Sequence, residues 1–148
     1  MYIDMVRPDG VAHITGGADA PQLRGTVEFH QEYGDILVVA RVSGLPRGNA
    51  SGFFALHIHE GDSCTGADFS QTGGHFDPEK QPHPWHAGDL PPLLSCGGEA
   101  YLAVRTDRFK LEDVIGRTVV IHSGPDDFHS QPAGNAGIKI ACGVIRRS

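Results

Sequence analysis

The amino-acid sequence predicts an all-β sandwich or barrel, and three observations support this fold class. Short segments rich in β-branched and aromatic residues alternate with turn residues along most of the chain. The 148 residues include 20 glycines and 10 prolines, which favour turns and short strands over long helices. Helical periodicity is weak throughout. The length suits one domain with its own core, so we expect a single domain spanning residues 1–148.

Seven segments are predicted to be strands, and the turn signals around them allow seven or eight strands in total. Each segment is short, contains β-branched or aromatic residues, and is bounded by glycine, proline or polar turn residues. In chain order the segments cover residues 11–14, 23–29, 36–42, 53–59, 100–104, 118–122 and 138–145. Residues 109–115 could form at most one or two helical turns.

Two long segments, residues 60–92 and 123–137, interrupt the strand pattern. The first is rich in glycine, proline, histidine and aspartate. A structureless loop of about thirty residues is unusual inside a small domain unless it is functional or is held by something other than a core. We therefore expect two long functional loops, the first of them held in place by metal coordination.

The charge and hydropathy patterns argue against several classes of partner. The net charge is −6 and the basic residues are scattered, whereas nucleic acid requires clustered positive charge. No run of about 20 apolar residues is present, so no membrane partner is expected. The first residues lack the basic and apolar regions of a secretion signal. As written, the sequence predicts a cytoplasmic protein. If a leader peptide preceded this sequence and was removed, we would expect a periplasmic or extracellular protein.

Nine histidines are present, and two of them end a predicted strand. His57 and His59 are two residues apart, so their side chains project to the same face of a strand and can reach one ion. By itself such a pair is more often an ordinary surface or core feature. His122 ends an apolar segment, and such a histidine is usually a hydrogen-bonded polar residue when it is considered alone.

A second cluster of potential ligands lies in the first long loop. His75, His83, His86 and Asp89 supply four donor groups within fifteen residues. Tetrahedral zinc takes imidazole and carboxylate ligands of this kind. The neighbouring glycines and prolines allow the backbone to bring these side chains together. The alternative is a flexible, solvated, histidine-rich loop.

Taken together, these motifs resemble the copper/zinc superoxide dismutase family. The matching pieces occur in the family's order and cover the chain from about residue 11 to its end. They are residues 57–60 (HIHE), 74–78 (GHFDP), 86–90 (HAGDL), 116–122 (GRTVVIH), 126–127 (DD), 134–137 (GNAG) and 141–145 (ACGVI). The resemblance implies an eight-stranded Greek-key β-barrel with two long functional loops, an Ig-like sandwich architecture already described for this family.

The resemblance also implies two metal sites that share one ligand. Copper would be held by His57, His59, His75 and His122. Zinc would be held by His75, His83, His86 and Asp89. His75 would bridge the two ions through its two ring nitrogens. Asp126 resembles the family's carboxylate that accepts hydrogen bonds from one copper ligand, His57, and one zinc ligand, His83, and so orients both rings.

The activity that the resemblance implies is conversion of superoxide to dioxygen and hydrogen peroxide. Copper would alternate between Cu(II) and Cu(I), while His75 leaves copper and carries a proton. Lys139 stands where most members of the family carry an arginine, so it keeps the positive charge but not the planar five-donor group. We expect a working but slower enzyme, since residues 123–133 also contain no lysine or arginine that could attract the anion.

Three cysteines are present, and the resemblance pairs two of them. Cys64 would be bonded to Cys142, closing a loop of about 79 residues and stabilising the fold by roughly 4 kcal/mol in the chain-entropy view. Cys96 remains, and we expect a free thiol in a turn.

Two other functions remain open from the residues alone. The chain could bind copper and zinc on the same fold with little or no dismutase turnover, an alternative that rests on Lys139 and the short second loop. It could also be a structural or adhesive sandwich whose histidines bind no metal. The family contains both dimers and monomers, so a homodimer is compatible with the sequence but is not indicated by it.

Overall fold

The computed structural model describes residues 6–148, and strands account for most of the regular structure in this range. We number the strands β1 to β9 in chain order. They are β1 (Gly10–Gly16), β2 (Arg24–Glu32), β3 (Asp35–Ser43), β4 (Phe53–Phe54), β5 (Leu56–His59), β6 (Leu93–Leu94), β7 (Ala100–Thr106), β8 (Thr118–His122) and β9 (Lys139–Arg147). A one-turn helix, α1 (Leu111–Val114), falls within the predicted helical segment, and a 3₁₀ segment covers Ala67–Thr72.

Seven of these strands form one antiparallel sheet in the order β5-β8-β9-β1-β2-β3-β7. Strands β4 and β6 pair in a separate two-stranded sheet, with Phe53 opposite Leu94. Strand β4 continues into one edge of the large sheet, β5, and a tight turn closed by Cys96 and Glu99 leads from β6 into the other edge, β7. The small sheet therefore connects the two edges, and this arrangement confirms the predicted all-β barrel.

The predicted strand at residues 53–59 is divided at Ala55. Its N–H group donates to Gly124 O at 2.9 Å, beyond the end of β8, while Phe53 and Phe54 turn aside to pair with β6. Counted as one bent strand, β4 and β5 give the eight strands that the resemblance implies. Strand β6 was not predicted, because two residues are too few to show an alternating pattern.

Strands β5 and β8 are buried on both faces, and this decides where the histidines lie. Leu56 and Ile58 of β5 belong to the continuous apolar cluster that fills the barrel. The alternate residues, His57 and His59, project to the opposite side because successive side chains of a strand point to opposite faces. They are 0% and 2% exposed, so the first loop must cover them.

The first long loop is fastened to the barrel by its backbone as well as by side chains. Ile58 N–H donates to Gly88 O and Phe76 N–H donates to Ile58 O, both at 2.8 Å. A methyl group at Gly88 would overlap Ile58 O, so this close approach requires glycine. Phe76 and Leu90 join the apolar cluster. The expectation that metal coordination holds this loop is therefore incomplete, since apolar packing and main-chain hydrogen bonds hold it too.

The cysteines are arranged as the resemblance implies. Cys64 and Cys142 form a disulfide with an S–S distance of 2.05 Å, which ties the loop after β5 to β9. Cys96 is free and exposed. Within residues 6–148, no helix has the length and apolar character needed to cross a membrane.

Candidate metal centre

Four histidine rings converge at one end of β5 and β8. His57 and His59 come from β5, His122 ends β8, and His75 reaches them from the first loop, where it forms an isolated antiparallel bridge with His59. One ring nitrogen from each of the four lies within 4.8 Å of the other three. We call these residues the four-histidine group. They are the same four that the resemblance assigns to copper.

A second group surrounds the carboxylate of Asp89. The Nδ1 atom of His75 lies 2.9 Å from Asp89 Oδ1, and the Nδ1 atoms of His83 and His86 lie 3.1 and 3.2 Å from Oδ2. The Nδ1 atoms of His75 and His86 are 3.1 Å apart. Donors placed tetrahedrally about 2.0–2.1 Å from a zinc ion would be about 3.3 Å from one another. The observed spacing suits one small ion enclosed by this Asp89 group.

His57 also lies within 4.8 Å of His75, His83 and Asp89, so distance alone could place it in the Asp89 group. Its Nε2 atom is hydrogen-bonded to the carboxylate of Asp126 at 2.8 Å. Its other nitrogen, Nδ1, is needed to complete the four-histidine group. The Nδ1 atom of His86 has direct contacts with both His75 and Asp89. We therefore regard His86 as the fourth member of the Asp89 group.

Three buried ring nitrogens in the described part of the chain have no hydrogen-bond partner: His57 Nδ1, His75 Nε2 and His83 Nδ1. The last of these lies 3.1 Å from Asp89 Oδ2 but forms no hydrogen bond with it. Leaving a buried polar atom unpaired costs on the order of 1–3 kcal/mol, so native proteins normally supply a partner. A bound metal ion is such a partner, because a neutral imidazole nitrogen can offer it a lone pair. The donor set therefore fits metal ions on both sides of the His75 ring.

His75 lies between the two groups. Its Nδ1 atom faces Asp89, whereas its unpaired Nε2 atom is at the other end of the ring. The ring centroid is 4.0 Å from that of His57 and 4.9 Å from that of His59. A single imidazole in this position can offer one nitrogen to each group, as the predicted bridge requires.

In three of these rings, a nitrogen that faces away from the other rings is held by a hydrogen bond. His57 Nε2–H and His83 Nε2–H donate to the two oxygens of Asp126, at 2.8 and 2.7 Å. His59 Nδ1–H donates to Gly73 O at 2.8 Å. Each bond fixes which nitrogen carries the proton and leaves the opposite nitrogen free for a metal. The Asp126 contacts are those that the resemblance implies.

Gly134 is required where the second loop passes over this carboxylate. Its φ angle is +72°, in the left-handed region, and a methyl group there would overlap both Asp126 Oδ1 and His83 Nε2. Asp126 Oδ1 also accepts a hydrogen bond from Phe128 N–H at 2.8 Å. The second loop therefore places the carboxylate between the two rings, on the side opposite to their unpaired Nδ1 atoms.

Burial lowers the pKa of three histidines of the site. It lowers the pKa of His59 to about 2 and that of His122 to about 3. It also lowers the pKa of His75, although the hydrogen bond to Asp89 opposes the shift. Burial disfavours ionisation of Asp126, yet hydrogen bonds from the rings of the two histidines outweigh this effect and lower its pKa. Neutral imidazoles beside ionised carboxylates are the forms that bind metal.

A cavity of about 530 Å³ opens onto the four-histidine group, and its lining includes His59, His75 and His122. Lys139, the first residue of β9, also lines it, opposite His122 in the strand register. Burial lowers the pKa of this lysine. The carboxylates of Asp68 and Asp77 lie on the same lining, so the charge at the mouth is mixed.

Three contributions to the site were not foreseen from sequence. Thr72 Oγ1 and Gly73 O accept hydrogen bonds from Lys139 Nζ at 2.7 and 2.9 Å. Arg108 donates to His86 O at 3.2 Å and to Pro84 O at 2.7 Å, and so fastens the segment that carries a predicted zinc ligand. None of the three stands in a motif. Only the pairing of strands and loops brings them to the site.

The imidazoles and carboxylates form a buried cluster in which some ring nitrogens are unpaired and the opposite nitrogens are hydrogen-bonded. Such a cluster defines a metal-binding β-barrel protein. Its family follows from direct comparison with known proteins. The chain belongs to the copper/zinc superoxide dismutase family, because residues 23–145 match the family described as Copper/zinc superoxide dismutase (SODC).

Individual relatives agree with this assignment. A "Superoxide dismutase [Cu-Zn] 2" from Aquifex aeolicus is 37% identical over 137 residues, covering 82% of this chain and 78% of the relative. A "Superoxide dismutase [Cu-Zn]" from Deinococcus radiodurans is 36% identical, covering 84% of this chain and 78% of the relative. One from Pasteurella multocida is 35% identical, covering 84% of this chain and 80% of the relative.

Solved structures share the fold. A SOD-like protein from Bacillus subtilis is 25% identical and superposes with a TM-score of 0.75, covering 90% of this chain and 96% of that one. A double mutant of a SOD-like protein from the same organism is 27% identical, with a TM-score of 0.74 over 90% of this chain and 95% of the other. Relatives named as dismutases and relatives named only as SOD-like are thus both similar to this chain.

Proposed function

We propose that the protein is a superoxide dismutase that binds copper in the four-histidine group and zinc in the Asp89 group. The observation that carries this proposal is the position of His75, whose Nδ1 faces Asp89 and whose Nε2 is buried and unpaired. Four imidazoles suit cupric copper, and three imidazoles with a carboxylate suit zinc. The four-histidine group is assembled from separate parts of the chain, and the Asp89 group from one short segment of the first loop.

The residues around the metals have separable roles in this proposal. When bound, copper supplies the one-electron couple that dismutation needs, and zinc supplies none. His75 can hold or release a proton at Nε2 while Nδ1 keeps the ring oriented. Lys139 places a positive charge beside the cavity that superoxide would enter. Asp126 keeps His57 and His83 in the tautomers that leave Nδ1 free.

The direct test is reconstitution. The purified protein is stripped with a chelator, loaded with one equivalent each of copper and zinc, and assayed for superoxide removal by pulse radiolysis. We expect rapid catalysis only from protein that carries both metals. His75→Ala should abolish it, whereas His13→Ala, a change at an exposed histidine of β1, should have no effect. Metal-loaded protein that removes superoxide no faster than the stripped form would refute the proposal.

A second candidate is a copper- and zinc-binding protein with little turnover. It is favoured by the mixed charge of the cavity, where Lys139 is accompanied by Asp68 and Asp77. An anion entering this cavity meets more negative than positive side chains on the lining. Tight binding of both metals, measured by elemental analysis, together with negligible superoxide removal would select this candidate.

A further inference from the structure

The amine of Lys139 is held by two acceptors at the edge of the cavity. Its Nζ atom donates to Thr72 Oγ1 at 2.7 Å and to Gly73 O at 2.9 Å. An ammonium group has three N–H donors, so these two bonds leave one donor uncommitted. Because Lys139 lines the same cavity as the four-histidine group, that third donor is available to an anion there.

Thr72 is a fixed acceptor. The residue is 0% exposed, and its hydroxyl donates to Phe69 O at 2.8 Å, which leaves its lone pairs for the lysine. Thr72 O in turn accepts from Gly61 N–H at 2.8 Å. The hydroxyl is therefore held in place, and its hydrogen bond defines a position for Lys139 Nζ.

The second acceptor, Gly73 O, links Lys139 to the four-histidine group. We call the two hydrogen bonds from Lys139 Nζ to Thr72 and Gly73 the clamp. Gly73 O accepts from Lys139 Nζ and also from His59 Nδ1–H at 2.8 Å. One carbonyl oxygen thus orients a member of the four-histidine group and the cavity cation together. Thr72 supplies the second point that fixes the direction of the amine relative to that ring.

We propose that Thr72 is a positioning residue, whose hydroxyl holds Lys139 so that the third N–H of the amine is presented to an anion in the cavity. A lysine needs such help more than an arginine does, because its flexible stem and rotatable donors lose more freedom for each hydrogen bond formed. Replacing the hydroxyl by a methyl group removes one of the two acceptors of the amine, and it leaves the bond to Gly73 O and the positive charge in place. The inference deepens the proposed function, since superoxide is the anion that the site would receive.

Azide is a suitable probe, because it is an anion that can be titrated without turnover. The protein loaded with copper and zinc is titrated with azide and followed through the visible absorption of copper. We expect Thr72→Val to raise the azide dissociation constant about threefold to tenfold, less than the full loss of a hydrogen bond to a charged group, because the amine keeps its bond to Gly73 O. Thr72→Ser keeps the hydroxyl and should bind azide like the parent protein. Thr72→Ala is a second hydroxyl-free variant, and thermal unfolding checks that each variant is folded.

A double-mutant cycle separates positioning of the lysine from a general disturbance. In Lys139→Met protein the clamp is absent, so adding Thr72→Val should change azide affinity by less than about 1.5-fold. The inference is overturned if Thr72→Val binds azide as tightly as the parent, or if it weakens binding equally with and without Lys139. Dismutase activity is measured separately. Loss of azide affinity as expected in a protein without turnover would contradict the proposed function and leave the role of Thr72 intact.

Discussion

At Asp126, one carboxylate accepts hydrogen bonds from rings that belong to two different ligand groups. His57 and His83 each donate Nε2–H to a separate oxygen. The side chain is buried, so both bonds are made away from water. A single residue therefore fixes the tautomer of one predicted copper ligand and one predicted zinc ligand, and the two sites are coupled through it.

Asp126→Asn should weaken both metal sites. The amide offers one oxygen and one NH₂ group, and the NH₂ group would face a ring N–H, so one histidine must lose its bond or change tautomer. We expect copper and zinc affinity to fall about tenfold to a hundredfold, measured by competition with a chromophoric chelator. Asp107→Asn, at an exposed carboxylate, is the control and should leave both affinities unchanged. Unaltered affinities in the Asp126 variant would show that the bridge does not orient the ligands.

Lys139 sets the positive charge of the cavity, and Lys139→Arg should raise kcat/KM. Arginine retains the charge and has five N–H donors, so it can keep the contacts to Thr72 and Gly73 and still meet an anion with two donors. We expect an increase of about twofold to tenfold, measured by pulse radiolysis on metal-loaded protein. An unchanged or lower value would count against an anion-binding role for this position.

At the level of elements, two strands supply three of the proposed ligands on a rigid sheet and one loop supplies the rest. Strand β5 carries His57 and His59, and β8 ends with His122, each held by the sheet. The loop that carries His83 and His86 is held by several separate contacts. One of them is the close packing of Gly88 against Ile58 of β5, with its main-chain hydrogen bond. Its ligands are therefore the ones most sensitive to changes outside the site.

Arg108→Gln should loosen the part of the loop that carries the predicted zinc ligands His83 and His86. The guanidinium donates to Pro84 O and His86 O and lies 5.0 Å above the Trp85 ring. One of these hydrogen bonds is exposed and the other is only partly buried, so we expect a modest effect. The zinc dissociation constant should rise about threefold to tenfold, with copper affinity nearly unchanged. Equilibrium competition for zinc measures it.

The control for this change is Arg105→Gln. Arg105 is an exposed arginine of β7 whose guanidinium pairs with Glu32 instead of the loop. It should leave zinc affinity at the parent value. Equal losses from both substitutions would mean that surface charge, and not the hydrogen bonds of Arg108, affects zinc.

Removal of the disulfide should destabilise the fold more than it alters the ligands. Cys64 and Cys142 are 78 positions apart, so the bond closes a long loop in the unfolded chain. We expect Cys64→Ser to lower the free energy of unfolding by roughly 3–4 kcal/mol, measured by urea denaturation of metal-free protein. Cys96→Ser, at the exposed free thiol, should change it by less than about 0.5 kcal/mol. A loss of similar size in both variants would contradict the assignment.

For the whole molecule, the candidate metal centre gathers histidines and carboxylates in a buried region of a protein with net charge −6. Without metal, this arrangement leaves unpaired ring nitrogens inside the fold. Because only the folded chain assembles both groups, metal binding and folding stability are linked.

The metal-free protein should lose stability as the pH falls below about 6.5. Burial lowers the pKa of His59 to about 2 and of His122 to about 3, whereas both side chains have a pKa near 6.5 in the unfolded chain. Between these values the unfolded state binds more protons, so the free energy of unfolding rises with pH and falls on acidification. The lowered pKa of Asp126 acts in the same direction at lower pH, below its ordinary value of 3.8.

We expect a slope on the order of 1 kcal/mol per pH unit between pH 6 and 4, measured by urea denaturation of metal-free protein. His122→Gln removes one of the titrating groups and should reduce this slope. A stability that does not depend on pH over this range would mean that these histidines are already protonated in the folded state.

The sequence by itself determined the fold class, the ligand types and most of their grouping. The i, i+2 spacing of His57 and His59 is a local property, because a strand places such residues on one face wherever it lies. The short loop segment that holds His83, His86 and Asp89 likewise limits how far apart its donors can be. The family resemblance added the pairing of Cys64 with Cys142, which the structure confirms.

Only the tertiary structure decided the contacts between residues far apart along the chain. The hydrogen bond between Thr72 and Lys139 joins residues 67 positions apart, and Arg108 contacts His86 from 22 positions away. The division of the predicted strand at Ala55 likewise depends on a hydrogen bond to Gly124. Such contacts have no signature in local composition, because they arise from the path that the backbone takes between elements. Packing and strand pairing fix that path for the molecule as a whole.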